Sequence, residues 1–458
     1  MPNHSRMKAI VQKQRDFFNQ GQTRSTVYRI DQLKKLLAAV KVSEDAILAA
    51  LKADLNKPVF EAYSTEVMQI TTELKYTIRH LKKWTREKKV PTPLELQPAR
   101  SRIHTHPYGV VLNIAPWNYP VQICLIPLIA ILAAGNCAVV KPSELAPQTS
   151  RLVATLISGL FPPEYCTVVE GGVEETQALL AQRWNYIAFT GSPAIGRIVA
   201  RAAAENLTPT LLELGGKSPC IVHDDTNIQV AARRIAWGKF LNAGQTCTAP
   251  DFVVAQSRIA GRLVDEIGRC INAFYDADAL KSPDYGRIIN HRHFDRLVSL
   301  MELDKIVYGG HADRDQRYIE PTIIYKADWD DEIMQDEIFG PLLPVLEYEK
   351  LDTVMDRLLD RERPLALYLF TENRALQRKI VGSLNFGGGA INATLLQNGN
   401  KWLPFGGVGT SGMGRYHGKS GFDTFSTTKS MVSKPTCIDP SLPYPPYKGK
   451  VKLLKRLS

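Results

Sequence analysis

The feature that most limits the fold is a rhythm that begins at Val110. Short β-branched runs ("VVLNIAP", "CAVVKPS", "CTVVEGG", "YIAFTGS", "TLLELGG") alternate with helical stretches such as "VQICLIPLIAILAAG" and "PAIGRIVARAAAE". Apolar runs of this length, closed by Gly, Pro, Ser or Asn, read as buried strands. Parallel strands need a crossover to return, so the alternation predicts a doubly wound parallel sheet with helices on both faces. Ligands of such sheets bind outside the carboxyl ends of the strands, where the polar residues of these runs fall. After Gly216 a second α/β region runs to about residue 413, with "IVHDD", "DFVVAQS", "PTIIY" and "LALYLF" as its strands.

The first hundred residues are helical in pattern, with Leu33, Leu36 and Leu37 at helical spacing and Ser43-Glu44-Asp45 as a cap and acidic first turn. "KVPTPLELQPARSRIHTHPYG" predicts an extended excursion. The apolar stretch Val121 to Val140 imitates a membrane span, but Gln122, Pro127, Gly135 and Asn136 interrupt it. A buried helix ending at Gly135-Asn136, followed by the strand "CAVVK", accounts for it better.

Composition excludes several classes. Seven cysteines, at 124, 137, 166, 220, 247, 270 and 437, form no CxxC pair, so neither a disulfide framework nor a zinc ribbon is indicated and a reducing, cytoplasmic setting is expected. The HxH pairs His104/His106 and His291/His293 lack a third ligand at a usable interval, so no metal is expected. The net charge of +11 is spread out, apart from Lys82-Lys83, Lys88-Lys89 and the tail "YKGKVKLLKRLS". Without an aromatic-interleaved basic patch, nucleic acid is not expected. The N-terminus has no apolar signal region and no transmembrane segment is expected, while the basic tail suits peripheral contact with an anionic membrane.

Chemistry concentrates around "NAGQTCTAP". Cys247 has small, polar neighbours rather than the apolar ones of a packed thiol. A turn before a helix here would aim backbone N–H groups at the sulfur, lowering the thiol pKa and later holding an oxyanion. Glu213 in "LLELGGKSP" ends a strand between Leu212 and Leu214, where desolvation raises a carboxyl toward general-base use. Asn118 in "IAPWNYP" has an amide able to donate to a developing oxyanion. "FTGSPAIG" places Gly191, Ser192 and Gly196 where a strand ends and a helix opens, a setting suited to pyrophosphate. Lys141 and Glu144 in "VVKPSE" stand at another strand end, placed for ribose hydroxyls or for an exposed ion pair. Trp237, with Phe240 and Leu241, either lines an apolar passage to Cys247 or packs its helix. Tyr119 and Thr246 are assigned to the same substrate pocket.

These motifs, joined in order by "DEIFGP" and "LPFGGVGTSGMGRYHG", resemble the aldehyde dehydrogenase superfamily from about Gln14 to Thr428. The spacing from Glu213 to Cys247 is similar too. "GQTCTAPD", "MGRYHGKSGFDTFS" and the short N-terminal region resemble its class 3 branch, which takes medium- to long-chain aliphatic and aromatic aldehydes. The resemblance implies a dinucleotide-binding domain (1–86 and 106–214), a catalytic domain (215–413), an oligomerisation or bridging segment (87–105 and 414–435) and a Pro-rich basic tail (436–458). It implies Cys247 as nucleophile, Glu213 as base for water, and Asn118 with the Cys247 N–H as oxyanion donors. Lys141, Glu144, Gly191, Ser192 and Gly196, with Glu337 and Phe339, then hold NAD, with NADP acceptable, in a likewise implied homodimer. An acylating enzyme that passes the thioester to coenzyme A, and a cofactor-free cysteine hydrolase, are the alternatives. Ala393 and Gln397 depart from the class 3 pattern, both expected near the substrate entrance.

Overall fold

The computed structural model describes residues 3–455. Its first sheet has six strands in the order Gly412–Met413, Thr210–Glu213, Tyr186–Thr190, Val110–Ile114, Cys137–Lys141, Cys166–Val168. All neighbours are parallel except the Gly412–Met413 edge. The chain builds outward from Val110–Ile114 on one side and then returns to the other. The strand order therefore reverses between Val110–Ile114 and Tyr186–Thr190, and a crevice opens beyond their carboxyl ends.

The helices between these strands follow the apolar runs. Gln122–Ala134 is buried around almost its whole circumference, which is why its sequence imitates a membrane span. Gly135, at φ 94°, ends it in the left-handed conformation that glycine tolerates. Pro193–Ala204 starts at Ser192, whose Oγ accepts from the Ile195 N–H. Among the described residues no helix is long and apolar enough to cross a membrane.

The second sheet has seven strands in the order Ile306–Tyr308, Thr322–Tyr325, Leu342–Tyr348, Phe252–Gln256, Pro219–Val222, Ala366–Phe370, Gly388–Ile391. Only the Ile306–Tyr308 edge is antiparallel. Each sheet has its own apolar core, one gathering side chains from Met7 to Leu214 and the other from Cys220 to Leu395. Tyr416, Phe422 and Phe425 come back from the far end of the chain to complete the first. The excursion read as extended carries two strands, Lys88–Val90 and Arg100–Pro107, and Ser426–Ser433 pairs with the second of them over eight residues. Beyond it the tail is largely exposed and ends in a short helix, Lys450–Leu454, rather than being extended throughout. Residues 456–458 of the basic run lie outside the described residues.

Candidate active site

The crevice between the two sheets is a cavity of about 1000 Å³, and Asn118, Glu213 and Cys247 all line it. Thr190 to Ala194 form one wall, and Glu337 and Phe339 stand on another. Three side chains from three separate segments thus meet in one space.

Cys247 is reached through an unusual loop. The helix Ile228–Phe240 stops short of the expected Gly244, and Asn242 (φ 53°), Ala243 (φ 50°) and Gly244 (φ 75°) follow in the left-handed region. A run of this kind is held only where surroundings over-determine it. Glu61 accepts from the Asn242 N–H at 3.0 Å, and the Gln245 side chain bonds Asn242 O, Arg287 O and the Ile289 N–H, each at 3.0 Å. At Gly244 a Cβ would come within 2.2 Å of the Gly340 carbonyl oxygen, so a larger residue does not fit.

The expectation of a helix opening at Cys247 is not met. Residues 247–249 form a turn and a bend, and 250–251 lead irregularly into the strand Phe252–Gln256. The N–H groups of Cys247 and Thr248 do bond the sulfur, yet burial, then the carboxylates of Glu337 and Glu213, outweigh them and push the thiol up to about 12. The expected lowering is thus reversed, because burial first and two nearby acids second outweigh the backbone donors.

Glu213 pairs with Thr190 on one side and Gly412 on the other, at the end of its strand. Its side chain is buried and neither carboxyl oxygen has a hydrogen-bond partner. Burial pushes its pKa well above the ordinary carboxylate value, with Arg415 pulling it back. Asn118 is buried, and its Nδ2 donates to Gln245 O at 3.1 Å. An amide carries two such hydrogens, so one is left for another acceptor.

The remaining expected residues divide. Gly191 and Ser192 line the cavity, with the Ser192 helix start facing it; Lys141, Glu144, Gly196, Tyr119, Trp237 and Thr246 lie outside its lining. Lys141 and Glu144 pair with each other at 2.9 Å. Tyr119 OH and Thr246 Oγ1 bond at 2.6 Å immediately beside the cysteine loop. Trp237 is 40% exposed. Glu337 accepts from the Gly216 N–H and approaches Gly215 so closely that a Cβ there would lie 1.9 Å from its Oε2. Phe339 meets the Trp117 ring edge-on at 5.3 Å.

Sequence reasoning missed the groups that brace these residues. Lys217 bonds Asp251 at 2.6 Å and the carbonyls of Ile333 and Asp336, while Asp251 accepts from the Ile338 N–H at 3.0 Å, fixing the Glu337 loop. Their positions beside "ELGG" and "GQTCTAP" were the available signal. His293 also lines the cavity, against Trp117, and burial with Arg296 and Arg292 brings it down to about 4. Gln397 donates to Tyr368 OH (2.8 Å), which donates to Thr248 O (2.6 Å), so this departure from the class 3 pattern braces the residue after the cysteine.

A dinucleotide fits this cavity. The Thr190–Ala194 wall ends at a helix N-terminus, Arg197 and Lys217 add positive charge, and Glu337 supplies a hydroxyl acceptor. Residues 3–431 match the aldehyde dehydrogenase family. The chain belongs to that family. It is 49% identical over 454 residues to the 4,4'-diaponeurosporen-aldehyde dehydrogenase of Staphylococcus aureus, covering 98% of this chain and 99% of that one. The dimeric NADP-preferring aldehyde dehydrogenase of Canis lupus familiaris is 42% identical over 449 residues, covering 98% and 99%. A substrate-bound structure of Staphylococcus aureus AldH superposes with a TM-score of 0.97 at 48% identity, covering 98% of both chains. The protein is an NAD(P)-dependent aldehyde dehydrogenase, with the family's α/β fold.

Proposed function

We propose that the enzyme oxidises medium- to long-chain aliphatic or aromatic aldehydes to carboxylic acids through a thiohemiacetal and a thioester on Cys247. The observation that carries this reading is the unpartnered, buried Glu213 carboxyl in the cavity that also holds Cys247 and Asn118. As the thiolate, Cys247 adds to the aldehyde carbon, and the second Asn118 amide hydrogen and the Cys247 N–H hold the resulting oxyanion. A nicotinamide held in this cavity would supply the hydride acceptor that turns the thiohemiacetal into the thioester. Glu213, kept proton-ready by burial, takes a proton from water as its oxygen attacks the thioester, releasing the acid and the thiolate. A hydrolytic base is superfluous for transfer to coenzyme A, which favours hydrolysis over the acylating alternative.

Ser192, beside Gly191, and the helix behind it receive the pyrophosphate, Gly196 lets that helix close against Leu214, and Glu337 takes the nicotinamide ribose beside Phe339. Lys141 and Glu144 hold the adenosine ribose. NAD is the primary cofactor; the Lys141 ammonium, 2.9 Å from Glu144, offsets that carboxylate and makes a 2′-phosphate acceptable, in keeping with the NADP-preferring relatives. Residues 1–86 and 106–214, which carry five of the first sheet's six strands, are the dinucleotide-binding domain, and 215–413 the catalytic one. The strands within 87–105 and 414–435 join copies into a cytoplasmic homodimer. Turnover of an aldehyde chain-length series with each cofactor, for wild type and Cys247→Ala, tests this reading. Unchanged turnover in the variant removes Cys247 from the mechanism.

A further inference from the structure

Asn118 is held in place by two charges that stand outside the cavity. Lys57 and Glu66 have no exposed side-chain surface and pair at 2.6 Å. Lys57 Nζ donates to the backbone oxygen of Asn118 at 3.0 Å and lies 4.2 Å above the centre of the Tyr119 ring. The other Glu66 oxygen accepts from the N–H groups of Val121 (2.9 Å) and Gln122 (3.1 Å), where the helix Gln122–Ala134 begins. A carboxylate is favoured at such a helix start. The pair therefore grips the 118–122 segment at both ends.

Two further observations set it apart from ordinary packing. Glu66 is presented by a π-helical turn, Tyr63–Val67, a rare geometry that is frequent at functional sites. Burying two charges is costly relative to an apolar pair of the same volume, so stability alone gives little reason to keep them. The same Asn118 backbone oxygen also accepts from Asn242 Nδ2 at 2.9 Å, and Asn118 Nδ2 donates to Gln245 O at 3.1 Å. The residue is clamped between the ion pair and the cysteine loop.

We propose that Lys57 and Glu66 are positioning residues that fix the Asn118 backbone so that its free amide hydrogen faces the oxyanion formed at Cys247. This rests on the reading of Asn118 as an oxyanion donor. The test is a mutant cycle between the neutral pair K57M/E66Q and N118A, followed by the pre-steady-state burst of reduced cofactor, the KM for NAD, and the melting temperature.

The neutral pair is expected to slow the burst by about 10- to 100-fold, the effect of a misplacement near 1 Å, with the KM for NAD little changed. In the N118A background it should slow the burst by less than about 3-fold, since the donor it positions is already gone. An equal loss in both backgrounds, or a lowered melting temperature with no loss of burst rate, overturns the proposal. A normal burst in N118A alone instead overturns the oxyanion reading, and this inference with it. Should the neutral pair fail to fold, K57R keeps the charge but displaces it: a folded K57R with the same non-additive loss supports the proposal, and full activity refutes it.

Discussion

With its thiol pushed up to about 12, Cys247 in the cofactor-free enzyme is a poor nucleophile at neutral pH. At pH 8 only about one thiol in 10⁴ is ionised, against roughly a quarter for an ordinary cysteine near 8.5. Alkylation of Cys247 by iodoacetamide, read as the loss of its unmodified peptide by mass spectrometry, should therefore run about 10³-fold slower than for a free thiol. Its logarithm should climb by about one unit per pH unit up to about pH 7 and again from about pH 9 to 10, flattening between as Glu337 ionises. The peptide readout matters because Cys437 is exposed and Cys270 partly so. Glu337 supplies an internal control. Burial, then Asp251, raises its carboxyl to about 8, so it is protonated at lower pH and repels the thiolate only above that point. E337Q should match wild type below pH 7 and react up to about tenfold faster above pH 8, a shift near one pKa unit. A plateau that persists above about pH 9, or equal acceleration by E337Q at pH 6.5, refutes the reasoning.

Three further outcomes are expected. E213Q should retain a stoichiometric burst of reduced cofactor while steady-state turnover falls by about 10²–10⁴-fold; an unchanged steady rate removes Glu213 as the base. Gly244→Ala, with its Cβ 2.2 Å from a backbone oxygen and φ at +75°, should abolish turnover and lower the melting temperature, at a cost of about 1–3 kcal/mol; normal turnover would contradict the loop geometry. Burial raises Glu61 to about 7 against the pull of the Asn242 N–H and Lys57. The folded protein thus keeps a proton that the unfolded chain releases above about 4.5, and that contribution is full at low pH and lost as pH rises through 7. E61Q, which cannot titrate, should match wild type near pH 4.5 and exceed it by up to about 3 kcal/mol beyond pH 7; thermal melts across that range that stay parallel argue against it.

The strands and the cavity residues were readable because their signals are local. "YIAFTGS" and "TLLELGG" carry their own burial pattern and their own stop residues, so the sheet and the position of Glu213 at a strand end follow from short windows. The buttress was not readable in this way. Lys57 touches a carbonyl 61 positions away, and Glu61 bonds an N–H 181 positions away. No spacing rule announces such pairs, and by composition both residues belong to a solvated helix face. The left-handed run at Asn242 and Ala243 was hidden for the opposite reason. "IAWGKFLNAG" has helical periodicity throughout, and tertiary bonds override it for its last four residues.

The two-residue edge at Gly412–Met413 has a bearing on biosynthesis. It is laid down almost two hundred positions after the strand it flanks, and the apolar side chains that close the same core, Tyr416, Phe422 and Phe425, come later still. While the ribosome is translating the second α/β region, the strand bearing Glu213 has an open edge and its core lacks a wall. Completion of the first lobe therefore awaits nearly the whole polypeptide, and a nascent chain stalled before residue 412 exposes a sheet edge ready to pair with a stranger.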